Sequence, residues 1–234
     1  MSMIIGLVGR QGSGKDEVAN ILTRRAGAMH IKFATLIKEV AREFGLLELG
    51  RVDKELYRTI NIKWSVFEKE YPLFTKLYVD YPHAKRVLRG VLEPFRLESK
   101  GGGMSADYSI SPRRFQQLLG TEVGRVYSDT FWIDQALKGV EGLVVVSDVR
   151  FANELDECDH IILIDRDSCK PSLHYHSSEE LTETLLTYKN LFRPGDEATY
   201  RGVPIYLLEN HSNSLSKLSK DTIDLLKLIR GEGE

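Results

Sequence analysis

The sequence predicts a three-layer α/β fold, with helices on both faces of a five-stranded parallel sheet. Five short runs rich in Val, Ile and Leu are separated by stretches of helical periodicity, as strands joined by crossover helices would be. A glycine-rich turn of recognisable form joins the first run to the first helix. With 234 residues, 42% of them hydrophobic, the chain can build one such domain with insertions.

The first strand is expected at Ile4–Val8. Gly9-Arg-Gln-Gly-Ser-Gly-Lys15 follows in the form G-x-x-x-x-G-K, and a helix with Val18, Ile21 and Leu22 on one face comes next. Strand, glycine loop and helix in that order form the context in which the motif binds phosphate. Gly9, Gly12 and Gly14 let the backbone curl so that successive N–H groups, with Gln11 and Ser13 between them, point at one anion. The helix start adds its partial positive charge, and Lys15 can reach the β- and γ-phosphates of a nucleotide. Asp16 stands where a Ser or Thr hydroxyl usually holds Mg²⁺. A helix-start carboxylate is stabilised by the dipole whatever its role, so Asp16 reads as a metal-binding or phosphate-organising acid beside a structural alternative.

Further strands are expected at His30–Phe33, Leu143–Ser147, Ile161–Ile164 and Ile205–Leu208. Between the second and third lies a long, mostly helical insertion, about 46–139, with helical spacing at Thr35–Phe44, Asp53–Val79 and His83–Leu97. Ser111-Pro112 opens another helix that buries Phe115, Leu118 and Leu119, and a last helix over about Thr222–Arg230 covers the sheet. The glycine run from Ser99 to Ser105 reads as a mobile connector. One domain is expected, its core at 1–45 and 140–234, with a polar lid at about 166–201.

Ligands of such sheets bind at the carboxyl ends of the strands. There the third strand delivers Asp148-Val-Arg150, with Glu154 one turn later. Asp148 can bind Mg²⁺ or its waters and Arg150 can hold a phosphate, unless Asp148 merely caps a helix and Arg150 pairs with Glu154. Lys38 follows the second strand as a candidate phosphate contact. Arg113, Arg114, Gln117, Thr121, Glu122 and Arg125 gather near Tyr127, Phe131 and Trp132, the tools for holding a nucleotide's phosphate and stacking its base. Of the neighbours Phe131 and Trp132, one is expected in the core and the other toward a cleft. In the lid, Arg166 is a phosphate candidate beside Lys170, Ser178, Glu179, Arg193 and Arg201. His174 and His176 with Cys158 and Cys169 match no standard zinc spacing.

A net charge of −2 without a long basic block argues against broad nucleic-acid binding. Two cysteines imply no disulfide framework and fit a reducing compartment. A core strand at the N-terminus leaves no room for a signal peptide, and no apolar run matches a membrane span, so a cytoplasmic protein is expected.

With Gly9–Asp16, Phe33-Ala34 with Lys38, Leu118–Arg125, Phe131-Trp-Ile133, Asp148–Glu154, His176–Glu179 and Glu209-Asn210 in place, the sequence resembles the phage-type deoxynucleoside monophosphate kinases of the P-loop superfamily. The resemblance implies transfer of the ATP γ-phosphoryl group to a deoxynucleoside monophosphate with Mg²⁺, in host cytoplasm if phage-encoded, and is compatible with a homodimer. From the family pattern Ser13, Lys15, Asp16, Trp132, Asp148, Arg150 and Glu154 carry over. With the reading of the residues beside it, nucleotide contacts are expected at Gly9, Gln11, Gly12, Ser13, Gly14, Lys15, Asp16, Glu17 and Asn210, and metal at Asp16 and Asp148. Lys15, Asp16, Asp148, Arg150 and Glu154 become the catalytic set. Acceptor contacts fall to Lys38, Arg113, Arg114, Gln117, Thr121, Glu122, Arg125, Trp132 and Arg150. Glu17 departs from the pattern, because a hydroxyl residue is common there. The competing readings are another Gly-Lys-Asp small-molecule kinase, acting on phosphomevalonate or a coenzyme precursor, and a regulatory nucleotide-binding protein. The second lacks support, since no Asn-Lys-x-Asp guanine-reading segment is present.

Overall fold

A computed structural model describes residues 2–46, 55–97, 105–170, 177–189, 198–212 and 214–232, with the backbone alone for 177–179. Two compact units divide the chain, Met1–Phe33 with Leu137–Glu234, and Ala34–Ala136.

The first unit is built on a six-stranded sheet. Its strands are β1 (Met3–Val8), β2 (Met29–Ile31), β5 (Leu143–Val146), β6 (His160–Asp165), β7 (Ala198–Tyr200) and β8 (Val203–Glu209), in the spatial order β2-β5-β1-β6-β8-β7. The first five in that order run parallel, as expected, and β7 is an added antiparallel edge strand. The expected count of five is therefore corrected to six. Ala198–Tyr200 turns back on Val203–Glu209 through Arg201 and Gly202, both at positive φ, a hairpin too short to leave a periodic signal.

Helix α1 (Lys15–Ala26) packs Val18, Ala19, Ile21 and Leu22 under the sheet, against Ile5 and Leu7 of β1. Helix α10 (Leu215–Ile229) lays Leu218, Leu225, Leu226 and Ile229 on the same core. It begins about two turns before the expected Thr222, because the Ser214 hydroxyl accepts the Lys217 N–H and caps it there. On the other face, α8 (Ala152–Leu155) buries Leu155 and α9 (Ser177–Thr187) buries Leu181, Leu185 and Leu186. Each fully buried Leu or Ile contributes about 1.5–3 kcal/mol relative to exposure. Leu22→Ala would remove part of the contact that fixes α1, and with it the loop before it, at about 2–5 kcal/mol.

The second unit is not wholly helical. Helices α2 (Ala34–Glu43), α3 (Phe67–Glu70), α4 (Pro72–Leu77), α5 (Tyr81–Leu92), α6 (Pro112–Leu118) and α7 (Phe131–Leu137) surround an antiparallel pair, β3 (Arg58–Ile62) and β4 (Ala106–Ile110). The strand at 58–62 replaces helix expected there. Ile60 and Ile62 alternate inward, as do Ala106, Tyr108 and Ile110, a period of two. An aromatic cluster fills the core: Phe44 stacks on Tyr71 with centroids 4.0 Å apart, and Trp64 lies flat against Phe67 at 5.4 Å. A π-helical turn, Leu119–Val123, extends α6. No helix among the described residues is long and apolar enough to cross a membrane.

Candidate active site

Strand β1 is flanked by β5 and β6: the chain passes from β1 to β2 beyond β5, returns to β5, and then crosses to β6 and β8 on the other side of β1. The loop after β1 therefore lies at the topological switch point, at the carboxyl ends of the strands where ligands of such sheets bind. Gly12 and Gly14 adopt φ of 84° and 105°, in the left-handed region that favours glycine. A Cβ on Gly14 would stand 2.7 Å from the Asn210 side-chain nitrogen. Asn210 is buried at the end of β8, where its Nδ2 donates to the Ser13 carbonyl at 2.8 Å and its backbone N–H donates to the Asp165 carbonyl at 2.8 Å. This side chain supports the loop from beneath rather than facing outward.

The Lys15 ammonium donates to the Gly9 carbonyl and, at 2.8 Å, to the Arg10 carbonyl. Ser13 Oγ is buried with no hydrogen-bond partner among the described residues. Arg10 holds Glu183 of α9 with a two-pronged contact of 2.8 and 2.7 Å and donates to the Cys169 carbonyl at 3.0 Å. That hydrogen bond from Arg10, with its charge, keeps Glu183 below the usual carboxylate range. Arg166 Nη1 donates to the Gly12 carbonyl at 3.3 Å, so the lid candidate reaches the loop backbone.

On the other side of β1, Asp16 meets two groups. Lys32, just past β2, brings its ammonium 2.6 Å from Asp16 Oδ1, and Ser147 Oγ stands 3.2 Å from the same oxygen. His30 Nε2 lies 2.7 Å from Ser147 Oγ. A carboxylate only accepts, so Ser147 donates to Asp16 and His30 donates from Nε2 to Ser147. Burial and the Lys32 charge keep the His30 imidazole below its ordinary pKa, against the pull of Asp16 and Asp148, which fits a neutral ring with the proton on Nε2. Burial opposes the charge of Asp16, yet the Lys32 contact, the Lys32 charge and the Ser147 hydroxyl together outweigh it and hold the carboxyl below its usual value.

Asp148 Oδ1 accepts the Phe33 N–H at 2.8 Å, which ties the ends of β2 and β5 together. The alternative in which Glu154 pairs with the Arg150 side chain is replaced by another contact. Glu154 Oε2 accepts the backbone N–H groups of Arg150 at 2.7 Å and Phe151 at 3.2 Å, which shapes the turn that exposes the Arg150 side chain. Burial, the main influence, pushes the Glu154 carboxyl up to about 7, with the Asp148 charge adding to it and the two N–H bonds opposing it.

In the second unit, Lys38 is exposed on α2. Arg113 pairs with Glu55 at 2.9 Å, and the Arg114 guanidinium lies 5.9 Å over the Phe95 ring. The Thr121 hydroxyl donates to the Gln117 carbonyl at 2.7 Å; Glu122 and Arg125 are exposed. Phe131 and Trp132 are both buried, each 8% exposed, so neither ring takes the expected outward role. Tyr78 stacks on Phe131 and meets Trp132 edge-on, and a Cβ on Gly124 would lie 2.2 Å from the indole nitrogen.

His174, His176 and Arg193 lie outside the described residues, as do the side chains of Ser178 and Glu179 and, save Ser105, the glycine run. Lys170 is exposed, and Arg201 holds Asp156 through two contacts of 2.7 Å. Asp165, Asp167 and His211 bring ligand atoms within 4.8 Å of one another, but Lys189 holds Asp165 at 2.9 Å and His211 pairs with Asp167.

No family model matches the sequence. The deoxynucleoside-5′-monophosphate kinase of Escherichia phage T5 is 31% identical over 191 residues, which cover 69% of this chain and 74% of the relative. This chain belongs to the deoxynucleoside monophosphate kinase family. A protein of Acanthamoeba polyphaga mimivirus, provisionally assigned as a deoxynucleotide monophosphate kinase, is 26% identical over 170 residues, 66% of this chain and 67% of that one. Among solved structures, dephospho-CoA kinase from Campylobacter jejuni aligns over 100% of both chains at 11% identity and a TM-score of 0.43, too distant a likeness to carry any argument.

Membership makes this chain a nucleotide kinase. The oxygen donors of Asp16 and Asp148 suit a hard divalent cation such as Mg²⁺. Lys32, His30, Ser147, Arg10 and Glu183 escaped sequence reasoning. Lys32 and Ser147 could have been found as the residues closing β2 and β5 at the carboxyl edge. Glu183 had no local signal.

Proposed function

We propose that this kinase transfers the γ-phosphoryl group of ATP to the phosphate of a deoxynucleoside monophosphate, giving the deoxynucleoside diphosphate and ADP, with Mg²⁺. The observation that supports this most is the convergence at one sheet edge of the Lys15 loop with Asp16, Asp148 and Arg150, in a chain related to a kinase of that substrate class.

An acceptor phosphate is already largely ionised near neutral pH, so the transfer needs no strong base. One of its oxygens forms the new bond to the γ-phosphorus, while the bridging oxygen leaves with ADP. Catalysis lies in holding two polyanions together and offsetting charge as the bond shifts. The loop N–H groups of Gly9–Lys15, with Gln11, Gly12, Ser13 and Gly14, hold the triphosphate, and Lys15 turns from the Gly9 and Arg10 carbonyls to its β- and γ-oxygens. Asp16 and Asp148 would hold the cation, which offsets phosphate charge when bound. Arg150 and Arg166 neutralise oxygens at the two sides of the loop. Asn210 and Glu154 act as positioning residues for the loop and the Arg150 turn, and Glu17 stays beside the phosphate end of α1. We assign the acceptor nucleotide to Lys38 and the Arg113–Arg125 face with Gln117, Thr121 and Glu122; Trp132 acts there through the packing of that face. Residues of about 46–139 are read as the acceptor insertion and about 166–201 as a lid.

Product analysis with Mg-ATP and each common deoxy- and ribonucleoside monophosphate tests the reading. The expected result is diphosphate formed in step with ADP from deoxynucleotides. ADP release without any diphosphate, or turnover of another phosphorylated metabolite alone, overturns it.

A further inference from the structure

Lys32 has no role in the motif-based account, yet its placement is specific. It follows β2, and β5 separates β2 from β1. Two strand spacings set its backbone roughly 10 Å from β1. Its ammonium nevertheless reaches Asp16 in the first turn of α1, so the side chain spans the carboxyl edge of β5, where Ser147 donates to the same Asp16 oxygen. The pair is open to water, with 40% of the Lys32 side chain and 67% of the Asp16 side chain exposed. An exposed pair of this kind contributes only about 0–1 kcal/mol to folding, so stability does not account for a lysine held there.

We propose that Lys32 is a further substrate-binding residue, whose ammonium rests on Asp16 and meets the acceptor's monophosphate during transfer. This inference rests on the proposed reaction. In-line displacement sets the acceptor oxygen opposite the bridging oxygen, beyond the γ-phosphorus. Lys15 and Asp16 mark that end of the loop, because the motif lysine serves the β- and γ-phosphates. Lys32 approaches from the β2–β5 side, opposite to β6 and β8, from which Arg166 and Asn210 serve the loop backbone. A compact ammonium on a flexible stem can leave one carboxylate for a phosphate without rearranging the backbone. Asp16, held also by the Ser147 hydroxyl, which in turn accepts from His30, is the resting perch.

The test measures binding of whichever deoxynucleoside monophosphate the wild-type protein takes, by calorimetry, for Lys32→Met, Lys32→Arg and Lys32→Met in an Asp16→Asn background. ATP binding without acceptor is measured on the same proteins. A charge-assisted contact to phosphate lost from the site weakens acceptor binding roughly tenfold to a hundredfold. We expect that loss in Lys32→Met, partial recovery in Lys32→Arg, and the same loss when Asp16 is already Asn. A merely structural counter-ion for Asp16 would instead leave Lys32→Met without effect in that background. The inference is overturned if the acceptor's Kd rises by less than fivefold more than that of ATP, or if Asp16→Asn abolishes the Lys32 effect. Wild-type protein that binds no nucleoside monophosphate at all contradicts the parent reaction, a different outcome from an unaltered Lys32 variant.

Discussion

Asn210 reaches across 197 positions of sequence to donate its side-chain N–H to the Ser13 carbonyl, and the space it occupies is the space a Cβ on Gly14 would need. The last parallel strand thus sets the conformation of the loop after the first. Removing the donor leaves a carbonyl of a buried residue unpaired, at about 1–3 kcal/mol. Asn210→Asp is expected to do more, since a carboxylate would face the Ser13 carbonyl oxygen. ATP affinity should fall roughly tenfold for that variant. Calorimetry with ATP checks this, and wild-type affinity in Asn210→Asp would contradict the assignment of Asn210 to the loop.

Gly14→Ala combines φ of 105° with a Cβ 2.7 Å from Asn210 Nδ2. Strain in a loop that must shape itself to an anion should appear in binding before it appears in melting. The expected outcome is lost ATP binding with at most about 1–3 kcal/mol of lost stability in urea denaturation. Normal ATP binding would show that the loop does not need this geometry.

Glu154 gives a pH dependence of determinate sign. Its carboxyl is raised from 4.5 to about 7 in the fold, so between those values the folded protein keeps a proton that the unfolded chain has released. Its contribution to stability is fully present below about pH 4.5 and is lost as the pH rises through 7. Glu154→Gln keeps an oxygen for the Arg150 and Phe151 N–H groups without that ionisation. Its stability relative to wild type should improve from pH 4.5 to 7 and level off above. Parallel urea stability curves for the two proteins across that range would contradict the shift.

Trp132 is expected to act through packing. Trp132→Ala should destabilise the second unit by about 3–5 kcal/mol, the range for a large buried ring. Gly124→Ala, which presses a Cβ to 2.2 Å from the indole nitrogen, should cost about 1–3 kcal/mol by overpacking. Thermal melts of both variants beside Trp132→Phe test this. A Trp132→Ala protein that melts like wild type while losing acceptor binding would make the ring a direct ligand contact.

Much of this was legible in the residues themselves. Ile4–Val8, the Gly9–Lys15 turn and the Val18-Ile21-Leu22 face each show the period of the element they form, and the Asp148–Arg150 turn follows from the rule that ligands gather at carboxyl ends. Thr59-Ile60-Asn61-Ile62 alternates over too few residues to compete with the helical spacing on either side, so β3 went unread. Trp132 could not be oriented, because adjacent helical positions face differently and only packing against Tyr78 and Gly124 decides which way they turn. Lys32 and Asp16 meet only through strand order: β5 enters between β2 and β1 more than a hundred residues later, and no local pattern encodes that.

The most direct measurement compares wild-type protein and Lys15→Met for dNDP formation from Mg-ATP and deoxynucleoside monophosphates, with melting curves for both. The account predicts diphosphate from the wild type, turnover reduced by about a hundredfold or more in the variant, and unchanged melting. Full activity in Lys15→Met would contradict it.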